Sequence, residues 1–104
     1  MHLSTTDNIV GKKIVRQIGL AKGNTIRARH VGRDIMAILR HIVGGEIKDY
    51  TKMMAESREQ ALDRMIEDAQ KMGANAVVKM SFSTSMIMGG ASEILAYGTA
   101  VVVE

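Results

Sequence analysis

Cysteine, proline and tryptophan are absent from this chain of 104 residues, and its only aromatics are Phe82, Tyr50 and Tyr97. Without cysteine there are no disulfides, no thiolate metal ligands and no cysteine nucleophile, and the chain suits a reducing cytoplasm. So few aromatics argue against extended nucleic-acid binding, which uses Phe, Tyr or Trp as stacking platforms. No apolar run approaches the roughly 20 residues that span a bilayer, and the opening MHLSTTDNIVG has neither a basic leader nor an apolar signal core. The expectation is a soluble cytoplasmic protein with no membrane partner. No G-x-S-x-G elbow, no phosphate-cradling glycine pattern and no histidine with an evident base partner is present. Nothing in the residues points to an enzyme.

What is present fits one domain over residues 1–104, with no linker or charge block to divide it. A domain of this size buries only about two-thirds of its unfolded surface and gains from association. The net charge is +3 and uneven: residues 1–50 hold nine Lys/Arg against four Asp/Glu, residues 51–104 five against seven. The first half therefore favours an anionic ligand.

KKIVRQIGLAKGNTIRAR reads as strand, tight turn at Gly23-Asn24 and further extended chain over about residues 12–29. A short helix is predicted from Arg33 to Val43, its apolar arc formed by Ile35, Met36, Ile38, Leu39, Ile42 and Val43 and its end set by Gly44-Gly45. A longer helix follows from Tyr50 to Met72, with Asp49 or Thr51 as N-cap and Gly73 just past its end. Arg58 falls in the middle of its apolar arc, the clearest break in the pattern. Next, AVVKMSFSTSM alternates: Val78, Met80, Phe82 and Met86 share one face and Lys79, Ser81, Ser83 and Ser85 the other. EILAYGTAVVVE then returns as the second strand of an antiparallel hairpin. The order β-α-α-β-β implies an α+β layer, about three antiparallel strands with both helices on one face. The AVVV end is apolar on both faces, so it lies centrally in the sheet or under another subunit, and a closed homo-oligomer is expected.

LSTT, VGRDIMAILRHIVGG, Tyr50 with ESREQAL, MGANAVV and ASEILAYGTAVVVE resemble, in order and approximate spacing, the YbjQ family of small bacterial and archaeal proteins. The resemblance covers nearly the whole chain. It implies a dodecin-like subunit associated in rings, a homopentamer or a stacked decamer, and a heavy-metal-binding label without a settled activity, substrate or ligand set. Where many members carry FDTS, this chain has Phe82-Ser83-Thr84-Ser85, so a carboxylate on that strand is missing.

A metal, divalent or soft, would draw on His41, Glu46, Asp49 and the Met86-x-Met88 pair, with His2 and His30 as further imidazoles. Two ligands on one helix need a spacing of three or four. His41 has Ala37 and Ile38 upstream and Gly44 and Gly45 downstream at those spacings, so its co-ligands must come from another element or subunit. An anionic ligand would instead use Arg33 and Arg40, seven apart on the polar side of the first helix, at a subunit cleft, and a third reading is a scaffold whose function is the ring itself. Arg58, if buried, needs a carboxylate; Asp34 is the expected partner, and Glu46 or Asp49 the alternatives. The carboxylates Glu56, Glu59, Asp63, Glu67 and Asp68 fall on the exposed arc of the long helix.

Overall fold

The computed structural model describes residues 1–27, 47–87 and 91–104. They form strand β1 (His2–Leu3), strand β2 (Ile14–Arg27), helix α1 (Ile47–Lys71), strand β3 (Ala76–Ile87) and strand β4 (Ala91–Val103). The sheet order is β1-β3-β4-β2, with β2 and β3 antiparallel to the central β4 and β1 parallel to β3. The expected β-α-α-β-β order, with its dodecin-like set of about three antiparallel strands, is thereby corrected. Among the described residues the order is β-β-α-β-β, one helix beside a four-stranded mixed sheet. The short helix expected at 33–43 lies outside these residues. The two-residue β1 was missed because it has no periodicity of its own; it exists only by pairing with Ala76 and Val77.

Helix α1 ends as the sequence predicts. Gly73 takes φ +88°, Gly73 N donates to Gln70 O and Ala74 N donates to Ala69 O, each at 3.0 Å. A positive φ there is a conformation glycine adopts without a Cβ penalty. The helix buries Ser57, Ala61, Met65 and Ala69, a stripe with a spacing of four, against Ala21, Val77, Ile94, Ala96 and Ala100 of the sheet. Met65 is the large side chain of that stripe and is fully buried, a burial that contributes about 1.5–3 kcal/mol.

Small residues on both sides bring helix and sheet close, and Gly23 takes this to its limit. A Cβ there would lie 2.5 Å from Ala61 O and 2.6 Å from Arg64 C, and closer still to Met65 N. The glycine is therefore a seat for the helix backbone, not the turn expected at Gly23-Asn24: β2 runs unbroken through both residues, opposite Ala96 and Leu95. Glycine inside a strand marks either a bulge or such a close approach.

A second apolar cluster, Ala76, Val78, Val101 and Val103, lies on the sheet face away from α1 and is covered by Ile9, ahead of β2, and by Ile14, the first residue of β2. Both faces of the AVVV end are thus filled within one chain, and its strand is central. Asn75 fixes the start of the hairpin: its side chain accepts from Val103 N at 2.8 Å and donates to Val103 O at 2.9 Å, as a strand neighbour would.

Replacing Gly23 with alanine is expected to push α1 off β2 and cost roughly 2–3 kcal/mol or more, the scale of overpacking against a rigid neighbour. Urea unfolding of Gly23→Ala checks this, and an unchanged midpoint would contradict the close seat.

Candidate functional site

The alternation expected along β3 breaks in the structure. Val78 pairs with Thr99 and the next pair is Ser81 with Tyr97, so two residues, Lys79 and Met80, bulge out between them. Lys79 takes φ +52°, the one non-glycine residue with positive φ among the described residues. The bulge reverses the parity: Val78 belongs to the cluster away from α1, whereas Val77 and Met80 pack on the helix side. The expected common face of Val78, Met80, Phe82 and Met86 is corrected accordingly. A bulge adds one unpaired position, and every later side chain changes face.

Two remote segments hold the bulge. The N-terminal stretch supplies carbonyls, with Lys79 N donating to Thr6 O at 2.8 Å and Met80 N to Ser4 O at 3.0 Å. That stretch is itself braced by a 2.7 Å hydrogen bond between the Ser4 and Thr6 hydroxyls and by Thr6 Oγ1 donating to Asn8 O at 2.9 Å. From the other side, Gly98 leaves room: a Cβ there would meet Val77 Cγ1 at 2.5 Å and Val78 O at 3.0 Å. Beside the bulge lies a solvent-open cavity of about 560 Å³, lined by Thr5, Leu20, Lys79, Met80, Ser81, Tyr97, Gly98 and Thr99. Its volume is in the range of small-molecule sites. Sequence reasoning missed these residues as a site. Lys79 and Ser81 read as a solvated strand face, and the one available signal was the Val77-Val78 doublet interrupting the alternation.

The predicted site residues fare differently. Arg33, Asp34, Arg40, His30, His41, Glu46 and Met88 lie outside the described residues, and Asp49 falls within α1 without a described side chain. The expected pairing of Arg58 with Asp34 lies there too. Arg58 itself is exposed on the single chain. Its place at the centre of the apolar arc goes to Ser57, fully buried, whose carbonyl accepts from Thr25 Oγ1 at 3.1 Å. The arc was drawn one residue too far round because a small serine, not an apolar side chain, marks its centre. Met86 is 84% exposed near the end of β3, and His2 is exposed on β1. Among the described residues no group of three or more His, Asp or Glu side chains is placed to hold a metal ion.

Of the carboxylates assigned to the solvent face, Glu56, Glu59, Asp63 and Glu67 are exposed. Asp68 has a structural task instead. Its Oδ2 accepts from Lys22 N at 3.0 Å, and Arg64, four residues earlier, donates from Nη1 to Asn24 O. Both partners lie on the outer edge of β2, so one turn of α1 occupies the backbone groups that a foreign strand would use.

A small α+β domain with a long amphipathic helix over a mixed sheet and a solvent-open cavity is what fold and site define together. The chain belongs to the YbjQ family: the family model described as "Putative heavy-metal-binding" matches residues 1–104. A UPF0145 protein of Methanosarcina acetivorans is 59% identical over 97% of this chain and 95% of its own length. UPF0145 relatives from Dehalococcoides mccartyi strain BAV1 and Pyrococcus furiosus are 57% and 60% identical, over 100% and 96% of this chain and 100% and 88% of theirs. None of these three carries an enzyme's name. Among solved structures, a protein of unknown function from Pediococcus pentosaceus, of the DUF74 family, aligns with TM-score 0.65 at 12% identity. The alignment covers 100% of this chain and 98% of that one, a likeness of fold. No helix among the described residues is long and apolar enough to cross a membrane.

Because a lysine at φ +52° is in a conformation that glycine adopts freely, Lys79→Gly is expected to keep or raise stability, by up to about 1 kcal/mol. Thermal unfolding checks it, and a clear loss of stability would mean that the lysine side chain itself holds the bulge.

Proposed function

We propose that the chain is a non-catalytic subunit of a closed, cytoplasmic homo-oligomer, a homopentamer with a decamer as its stacked form, and that this assembly binds a small ligand. One observation carries the reading. The outer edge of β3 from Ser81 to Ile87 has no strand beside it among the described residues, and the segment SFSTSMI contains neither charge nor proline. The opposite edge of the same sheet is plugged by Arg64 and Asp68. Natural proteins blunt a long edge strand unless something pairs with it, and a second copy of the chain is the partner always present. Phe82 and Met86, 43% and 84% exposed on that strand, add apolar area to the same surface.

The family's description favours a heavy metal as the ligand. Its candidate donors His41, Glu46, Asp49, Met86 and Met88 then combine across subunits, and Met86, near the end of β3, is exposed on the single chain. The second reading is an anionic ligand in a subunit cleft lined by Arg33, Arg40 and Arg58 with Asp34 beside them, and the exposure of Arg58 favours it.

Strand alternation gives the test of the edge. Lys22 N and Asn24 O turn outward to α1, so Tyr97, opposite Lys22, directs its backbone groups to Ser81, and Phe82, Thr84 and Met86 direct theirs away from β4. Proline at position 84 therefore leaves the β3–β4 ladder intact and blocks a neighbouring strand. Native mass spectrometry is expected to show a ring for the wild type and a folded monomer for Thr84→Pro; a ring that survives the substitution excludes this edge as the interface. The same instrument counts metal. A fixed ratio of ions to subunits, removed by chelator, supports the metal reading, and substoichiometric uptake that varies with buffer counts against it.

A further inference from the structure

The cavity above the bulge needs only one chain, so its role stands apart from the assembly reading. We infer that it binds a phosphate monoester carrying a small apolar body. Lys79 brings a cation to the cavity, and Thr5, Ser81, Tyr97 and Thr99 bring four hydroxyls. None of these five side chains hydrogen-bonds another protein group among the described residues, whereas the neighbouring Ser4 and Thr6 hydroxyls are already engaged. One cation and four free hydroxyl donors form a set richer than the two oxygens of a carboxylate use. It matches the three terminal oxygens of a phosphate monoester, for which lysine acts as a point charge.

Leu20, 57% exposed on the neighbouring strand, and the half-buried ring of Tyr97 supply an apolar wall beside these donors. The ligand accordingly carries an apolar group next to its phosphate. About 560 Å³ is larger than a bare phosphate needs.

The strained backbone is the independent observation. A lysine held at φ +52° costs stability that glycine at the same place would not, and the chain commits Ser4, Thr6 and the bare Gly98 to maintaining it. Bulges that re-aim a side chain cluster beside functional sites, and this one sets Lys79 at the cavity. Fold stability alone gives no reason for lysine there.

The test is calorimetric titration of the full-length protein with phenyl phosphate, inorganic phosphate and benzoate. Wild type is expected to bind phenyl phosphate most tightly, inorganic phosphate more weakly and benzoate least. Lys79→Gly, which keeps the backbone conformation, is expected to lose about tenfold or more in affinity for phenyl phosphate, the effect of removing a charge-assisted contact. Tyr97→Phe is expected to lose several-fold and to keep the preference for the aromatic ester. Native mass spectra of both variants report the subunit count independently, so a failure of the assembly reading leaves this result interpretable. The inference is overturned if Lys79→Gly binds phenyl phosphate as wild type does, if benzoate binds as tightly as the ester, or if wild type binds none of the three at millimolar concentration.

Discussion

Helix α1 rests on β2 because Gly23 has no side chain where the two backbones meet, and the rest of the arrangement depends on that contact. Once the helix is seated there, Ser57, Ala61, Met65 and Ala69 close over the small residues of β2 and β4. The same seat brings Arg64 and Asp68 over the outer edge of β2, where they satisfy Asn24 O and Lys22 N. A close helix–strand approach thus supplies both a core of small side chains and protection for one sheet edge.

The consequence falls on β3. A helix centred over β2 and β4 does not cover the far half of β3, so Phe82 and Met86 stay exposed although Phe82, opposite Ala96, is on the helix side. One sheet therefore has two unlike edges, one sealed by its own helix and one without a strand beside it among the described residues.

The bulge at Lys79 divides β3 into two parts with different work. Before it, Ala76 to Val78 are buried and paired with β4, and Ala76 and Val77 pair with β1 as well. After it, Ser81 to Met86 are exposed. The N-terminal Ser4–Thr6 stretch, Lys79 and Gly98 are far apart in the chain yet define one place, and a solvent-open cavity lies beside it. Strain at Lys79 is held by backbone hydrogen bonds from the first residues of the chain, which ties the cavity's shape to the folding of the N-terminus.

Local pattern determined a good deal of this protein by itself. Periodicity in 50–72 and glycine at 73 located the long helix and its end, alternation and the Gly-Gly connection located the final hairpin, and the doubly apolar AVVV required a central or covered strand. These follow from neighbours within one segment, which a sequence displays directly. Only the tertiary structure decided that Gly23 is a helix seat inside a strand, that β3 changes face at Lys79, that His2–Leu3 forms a parallel fourth strand, and that Ser57 rather than Arg58 faces the core. Each of those features is made by a partner distant in the chain: the backbone of α1, the carbonyls of Ser4 and Thr6, the edge of β3, the hydroxyl of Thr25. Close approach and unpaired positions leave no periodic trace in the segment that carries them. For the same reason the Lys79 cavity was invisible in the sequence, where its lining residues stand as separate polar positions.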